Sequence, residues 1–274
     1  MDADIHVVHA HIPDSLAFDK TKKIIFVKHG APEHVFEASV TAGLTGNYGA
    51  SDSLAMAGYF LQRADAVVSF WPRQASIWET MTRAPVYVVP MGIDLDFWKP
   101  VAKQRLLTGT PAILTAENCH TCKWPLDLLL MWPLIVKQLP DARAHFINIP
   151  YDQHRWWMPL SYMNGARYST YISPSKLNKE QLRNFVCAAD FYYSPVQYGD
   201  FNRMSLEALA CGAKIISFVG NEYAQYWIPE GDHRVQVERL MDIITGKVTE
   251  RPVKQVPHIK ETAIEMLKIY GGLL

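Results

Sequence analysis

Short, nearly continuous apolar runs alternate along the chain with longer segments in which apolar residues recur every third or fourth position. Ile5–His9, Lys23–Lys28, Ala66–Phe70 and Val86–Pro90 are of the first kind. They predict parallel strands buried on both faces, where strict apolar-polar alternation is lost. Between them, Ser51–Arg63 and Pro72–Thr82 predict helices. Ser51 or Asp52 can cap the first, and Pro72 suits a first turn, where its missing N–H costs no hydrogen bond. Residues 30–49, rich in Gly and polar side chains, read as a mobile loop with some helical content.

After the Pro- and Gly-punctuated stretch Pro90–Pro100 the alternation resumes. Strands are predicted at Ala112–Ala116, Ala144–Ile149, Ser169–Ile172, Phe191–Pro195 and Lys214–Phe218. Helices are predicted at Lys123–Lys137, Gln153–Asn164, Asn178–Ala188, Arg203–Cys211 and Arg234–Thr245. A closing helix, His258–Tyr270, sets Ile259, Ala263, Met266, Leu267 and Tyr270 on one stripe. The pattern is that of doubly wound α/β layers on parallel sheets. Its expected division is a first domain over 1–97, a second over 98–256, and a helix over 257–274 packing back on the first.

Composition changes this picture in a few places. An apolar fraction of 49% in 274 residues suffices for two modest cores. The net charge of zero removes the global basic field typical of nucleic-acid binders. It is unevenly spread, −4 over residues 1–98 and +4 over residues 99–274, which leans toward an anionic ligand on the second half. No uninterrupted apolar run approaches the roughly 18 residues of a membrane span, and the start, MDADIHVVHAHIPD, is unlike a secretory signal. Cys119, Cys122, Cys187 and Cys211 lack the spacing of a disulfide framework, so a reducing cytoplasm is the expected location. Cys119 and Cys122 enclose His120 in a C-x-x-C, but no second Cys or His pair completes a zinc site, and the motif reads as loop packing.

Parallel sheets receive ligands outside the carboxyl ends of their strands. That singles out His9, His11, His29, Glu117 to Lys123, Ser173, and Tyr198 to Arg203. The most informative segment is Ser194–Gly212, SPVQYGDFNRMSLEALACG, in which a strand leads through Gly199 to a helix beginning near Asn202. The first turn of such a helix offers unpaired N–H groups and the positive end of its dipole to an anion. Arg203 adds a positive charge suited to phosphate oxygens, and Glu207, one turn on, can accept two ribose hydroxyls. An ordinary α/β turn with a solvated Arg and Glu is the plain alternative, and these residues alone leave the two evenly matched. Trp156 and Trp157 read as buried helix aromatics rather than a stacking platform.

Pro195 to Gly212 resembles the motif Pro-Ser-x-x-Glu-Gly-Phe-Gly, then Leu-Glu-Ala-x-Ala-x-Gly, of retaining GT-B glycosyltransferases of the group 1, family 4-like kind; the tail, Leu206 to Gly212, is intact. Four other places agree in order. Ala64 to Ser69 is similar to the family's Ala-Asp-x-x-x-x-Ser, and Val89 to Asp94, with Phe97 and Pro100, to its Pro-Asn-Gly-Val-Asp-x-x-x-Phe-x-Pro. Ala112 to Leu129, with Lys123, resembles its strand, Gly-Arg-Leu turn and Lys-Gly helix start; Val7 to His11 and Val27 to Gly30 resemble its two His-bearing strand ends. Together they span roughly residues 5–245, and five ordered motifs are far more specific than one.

The resemblance implies a GT-B fold, two Rossmann-type doubly wound domains facing a cleft. The N-terminal domain would be incomplete, because the family's opening strand and Gly-rich turn are missing before His9; a shortened natural enzyme, of phage or virus type, and a truncated one both fit. It also implies transfer of a sugar, with retention, from a nucleotide-diphosphate sugar donor, UDP- or GDP-linked, with no other cofactor. Glu207 falls where the family holds the donor ribose and Lys123 where it contacts the diphosphate. Asp200, Phe201, Asn202, Arg203 and Met204 fall where loop amides approach the sugar and phosphate, and Ser173 where the base sits. His29 falls where a histidine contacts the transferred sugar, which makes His29 and Asp200 the candidate catalytic residues. Lys123, Arg203 and helix-end amides would supply the positive field, so no metal is expected.

Two positions depart from the pattern. The first Glu of the family's Glu-x7-Glu pair falls on Gly199, with Asp200 one residue late and able to take over the sugar hydroxyls. The Arg of Gly-Arg-Leu falls on Glu117, which cannot bind phosphate and leaves Arg203 to compensate. A catalytically weak nucleotide-sugar binder and a sugar-nucleotide epimerase of the same fold therefore stay open. The acceptor is open as well: a polysaccharide, a protein or a modified DNA base, the charge of −4 on residues 1–98 disfavouring a DNA backbone.

Overall fold

Four parallel strands, β1 (Ile5–Val8), β2 (Lys23–Lys28), β3 (Ala66–Ser69) and β4 (Val86–Val88), form the first sheet in the order β1-β2-β3-β4. The computed structural model describes residues 4–9, 19–28, 58–102, 106–117, 123–149, 151–173, 176–197 and 200–273, without the side chains of 151 and 152. Two compact units emerge, Met1–Gly92 with Pro257–Leu274, and Ile93–Val256.

The run KIIFVK of β2 shows why apolar residues crowd these strands. Ile24 and Phe26 join Val8, Val67 and Trp78 on one face, while Ile25 and Val27 join Ala66, Val68, Val89 and Ile269 on the other. With both faces covered, neither set of alternate positions can be polar. Trp78 comes from α1 (Pro72–Glu79), which carries Pro in its first turn. The second face is covered by the closing helix, α7 (Ile259–Leu273), through Ile269 with Met266, Tyr270 and Leu273. The stripe is thus rotated from the predicted one, and Ile259 and Leu267 are exposed. The helix has apolar residues on two sides, and the sheet selects the side that matches it. Thr262 fixes the helix by donating to the Pro90 carbonyl at 2.8 Å and accepting from Gly92 N at 2.8 Å. A side chain at Gly92 would collide with the His258 carbonyl, so this close approach requires glycine. Asp65 of the Ala-Asp motif accepts from Ile24 N at 2.9 Å and fixes the start of β2. Of the helix predicted over 51–63, residues 58–63 are helical. Its beginning and the 30–49 loop lie outside the described residues.

The second unit holds β5 (Ala112–Thr115), β6 (Arg143–Phe146), β7 (Thr170–Ile172), β8 (Phe191–Ser194), β9 (Lys214–Phe218) and β10 (Tyr226–Ile228). They make one parallel sheet in the order β10-β9-β8-β5-β6-β7. Its helices are α2 (Leu126–Val136), α3 (Tyr151–Met163), α4 (Lys179–Ala188), α5 (Arg203–Ala210) and α6 (His233–Ile244). Leu128, Leu129, Met131, Trp132 and Ile135 of α2 pack with Val237, Leu240 and Ile243 of α6 and with Ile113, Phe191 and Ile216 of the strands. The sequence did not announce β10, whose three residues form no extended apolar run. Lys123, predicted as the first residue of a helix, instead makes an isolated antiparallel bridge with Val196, and the helix starts at Leu126. Among the described residues no helix is long and apolar enough to cross a membrane.

The strand order places the candidate site. From β5 the chain proceeds outward to β6 and β7, then returns to lay β8, β9 and β10 on the other side. Neighbouring β5 and β8 therefore flank the point where the order reverses, the place at which parallel sheets receive ligands.

Candidate nucleotide-sugar site

Past the end of β5 lies Glu117, 3% exposed, and past the end of β8 the chain leads to Asn202 and α5. Asn202 is the N-cap: its Oδ1 accepts from Ser205 N at 2.8 Å, and the Ser205 hydroxyl returns to Asn202, completing a capping box. The far end of α5 explains the intact motif tail. Gly212 adopts φ 87°, and the amides of Gly212 and Ala213 donate to the Leu209 and Ala208 carbonyls at 3.0 and 3.1 Å, the closure that a left-handed glycine permits.

Glu117 ties these elements together. Its Oε1 accepts from the Tyr192 hydroxyl of β8 at 2.9 Å and from Asn202 Nδ2, and its Oε2 pairs with Lys123 Nζ at 3.1 Å. Burial, and then the adjacent Glu117 carboxylate, hold the Tyr192 phenol well above its ordinary value, so it stays a proton donor. Lys123 is held at its backbone too, by the bridge to Val196 and by Trp124 N donating to the Pro195 carbonyl at 3.2 Å.

Glu207 lies one turn into α5 with its side chain 9% exposed, 3.4 Å from Arg203 Nε. Burial pushes its pKa up to about 7; Arg203 and Lys179 pull it down, and Glu117 raises it further. Arg203, 76% exposed, projects from the first turn of α5. Asp200 is buried beside the same turn, and buried Phe201 meets Tyr223 edge-on at 4.6 Å between ring centres. Met204 is half-buried. Ser173 is buried after β7, its amide donating to the Phe146 carbonyl at 2.9 Å.

Lys123, Asn202, Arg203, Glu207 and Glu117 thus lie together at the carboxyl ends of β5 and β8, whereas Ser173 follows β7 at the sheet edge. His11, His29, Cys119, Cys122, Tyr198 and Gly199 lie outside the described residues. His9 is exposed after β1. Of the two tryptophans only Trp157 is buried, packed on Phe146 with ring centres 5.1 Å apart; Trp156 is exposed. Glu117 was singled out as a strand-end residue and as a departure from the motif, with no local signal of its three partners. Tyr192 had no signal in a strand of aromatics. Lys28 was overlooked, although a lysine ending an apolar strand is a visible cue: its ammonium lies 5.2 and 5.0 Å from the Phe26 and Trp78 ring centres, and burial lowers its pKa.

The chain carries two Asp-x-Asp triplets of the kind that can hold a divalent ion, Asp2-Ala3-Asp4 and Asp94-Leu95-Asp96. Asp94 accepts from Phe97 N at 3.2 Å and lies 3.9 Å from Lys179 Nζ. The case for a metal-free site therefore rests on Lys123, Arg203 and the α5 amides alone.

No protein-family model matches the chain, and no curated protein matches it in sequence. Solved structures do match. A sucrose-phosphate synthase from Thermosynechococcus elongatus superposes with a TM-score of 0.74 at 16% identity, over 94% of this chain and 70% of the other. HepE from Anabaena, in complex with UDP-glucose, gives 0.66 at 11% identity over 97% and 78%. The pneumococcal O-GlcNAc transferase GtfA, in complex with UDP and GlcNAc, gives 0.58 at 11% over 84% and 47%. At these identities the likeness is one of fold, and the fold is GT-B.

Proposed function

We propose that the chain is a glycosyltransferase that moves a sugar from a nucleoside-diphosphate sugar to an acceptor, with retention and without a metal. The observation that carries this reading is the convergence of Lys123, the capped N-terminus of α5 and buried Glu207 at the β5–β8 reversal. A nucleoside diphosphate needs a fixed positive field for its phosphates, and Lys123, Arg203 and the first-turn amides of α5 offer one. Its ribose needs a paired acceptor for vicinal hydroxyls, which Glu207 offers once ionised. Asp200 and His29 are assigned to the transferred sugar. HepE, seen with UDP-glucose and with UDP, and GtfA, seen with UDP and GlcNAc, are similar in fold, which makes UDP the first probe.

The test is a thermal-shift panel of UDP, GDP, ADP and dTDP with their sugars, followed by turnover and anomeric analysis of the product by NMR. A ligand that binds the folded state raises the melting temperature by mass action. No shift with any nucleotide would sink the reading. Binding without transfer or donor hydrolysis would reduce it to a nucleotide-sugar binder, and isomerised free nucleotide sugar would make it an epimerase.

A further inference from the structure

Glu117 occupies the place where the resemblance has a phosphate-binding arginine, so the subsite differs by two units of charge. A buried carboxylate persists only when its oxygens are matched by donors. Here the donors come from three separate places: Tyr192 in β8, Asn202 at the cap of α5, and Lys123 at the bridge beside α2. We propose that Glu117 is a positioning residue: it fixes the Lys123 ammonium and the α5 cap relative to each other, so that one aimed cation and one aimed set of amides do the work of two cations. The part concerning phosphate rests on the donor-site reading above; the coupling of Lys123 to the α5 cap does not.

The geometry separates the two roles by atom. Oε1 serves Tyr192 and Asn202, and Oε2 serves Lys123. Glu117→Gln keeps an oxygen for the first pair and places an amide against the second. It therefore releases Lys123 while retaining the cap and the fold. Glu117→Ala releases both, and Glu117→Asp restores the charge on a shorter arm.

The experiment compares UDP and uridine binding by calorimetry in the full chain and its variants, with hydrogen exchange of the ligand-free proteins. Glu117→Gln should weaken UDP by roughly tenfold, the scale of one hydrogen bond to a charged group, and leave uridine within about twofold. Glu117→Asp should recover part of the loss. Without ligand, Glu117→Gln should speed exchange at the Trp124 amide and spare the Ser205 amide, whereas Glu117→Ala should speed both. UDP binding that is unchanged or tighter in Glu117→Gln would mean that Glu117 only screens Lys123, overturning the proposal. If the parent binds neither UDP nor GDP, the donor reading fails separately, and unchanged Trp124 exchange in Glu117→Gln would still overturn the coupling.

Discussion

Both sheets are parallel and covered on two faces, yet they use the polar residues at their strand ends differently. In the four-stranded sheet the described strands follow chain order from edge to edge; in the six-stranded sheet the chain starts at the centre and reverses. At the reversal, Glu117 and Lys123 from one connection meet Asn202 from the other and Tyr192 of β8 itself. Polar groups at described strand ends of the first sheet serve local ends: the Ser69 hydroxyl donates to the Trp71 carbonyl at 3.2 Å, and Lys28 folds over Phe26 and Trp78 of its own unit. The buried apolar runs stabilise each sheet, while the order of strands decides where distant polar side chains meet.

Substitutions should expose that contrast. The largest effect is expected from Glu207→Ala: transfer lost, and nucleotide binding weaker by about 1–3 kcal/mol, the cost of leaving buried donor hydroxyls unpaired. Lys28→Ala in the other unit should leave nucleotide affinity unchanged. Calorimetry on both variants checks the pair, and affinity of Glu207→Ala within about twofold of the parent would remove Glu207 from the site.

Next in size is Ile269→Ala. Truncating this buried side chain between α7 and the first sheet should cost about 2–4 kcal/mol, read by denaturant unfolding. Nucleotide affinity of the folded protein should stay at the parent value. A parallel loss of affinity would show that the second unit depends on the first for its site.

A smaller effect follows from the pKa of about 7 for Glu207. The carboxylate form accepts ribose hydroxyls, so uridine, which carries no phosphate to titrate, should bind about tenfold tighter at pH 8 than at pH 6. Stability runs the opposite way. With the folded pKa raised above the unfolded one, the contribution of Glu207 is largest below the ordinary carboxylate range, declines as pH rises toward about 7, and is constant above it. Glu207→Gln should flatten both profiles; a uridine pH profile that persists in Glu207→Gln would assign the titration to another group.

The smallest expected effect is that of EDTA on transfer, which should be none. Strict dependence on Mn²⁺ would instead direct attention to Asp94 and Asp96 and replace the electrostatic role given to Lys123, Arg203 and the α5 amides.

Much of the local structure was legible. KIIFVK and KIISF declare themselves as doubly covered strands, and 178–188 and 203–211 as helices. Each depends on residues close in sequence, whose burial, capping and backbone preferences act within a turn or a strand. Weaker local patterns misled: Lys123 reads as a helix start but is held in a bridge, and α7 shows a stripe other than the one it buries.

The sequence by itself therefore determined most of the elements, their alternation and the end of the strands at which ligands would be sought. Only the tertiary structure decided that Glu117 meets Tyr192 and Asn202, 75 and 85 residues away, and that Glu207 is buried enough to hold its proton near neutrality. Those outcomes follow from β8 lying beside β5, a long-range pairing. Solvent exclusion and charge proximity at these strand ends arise only after that pairing is made, so no local pattern of residues can encode them.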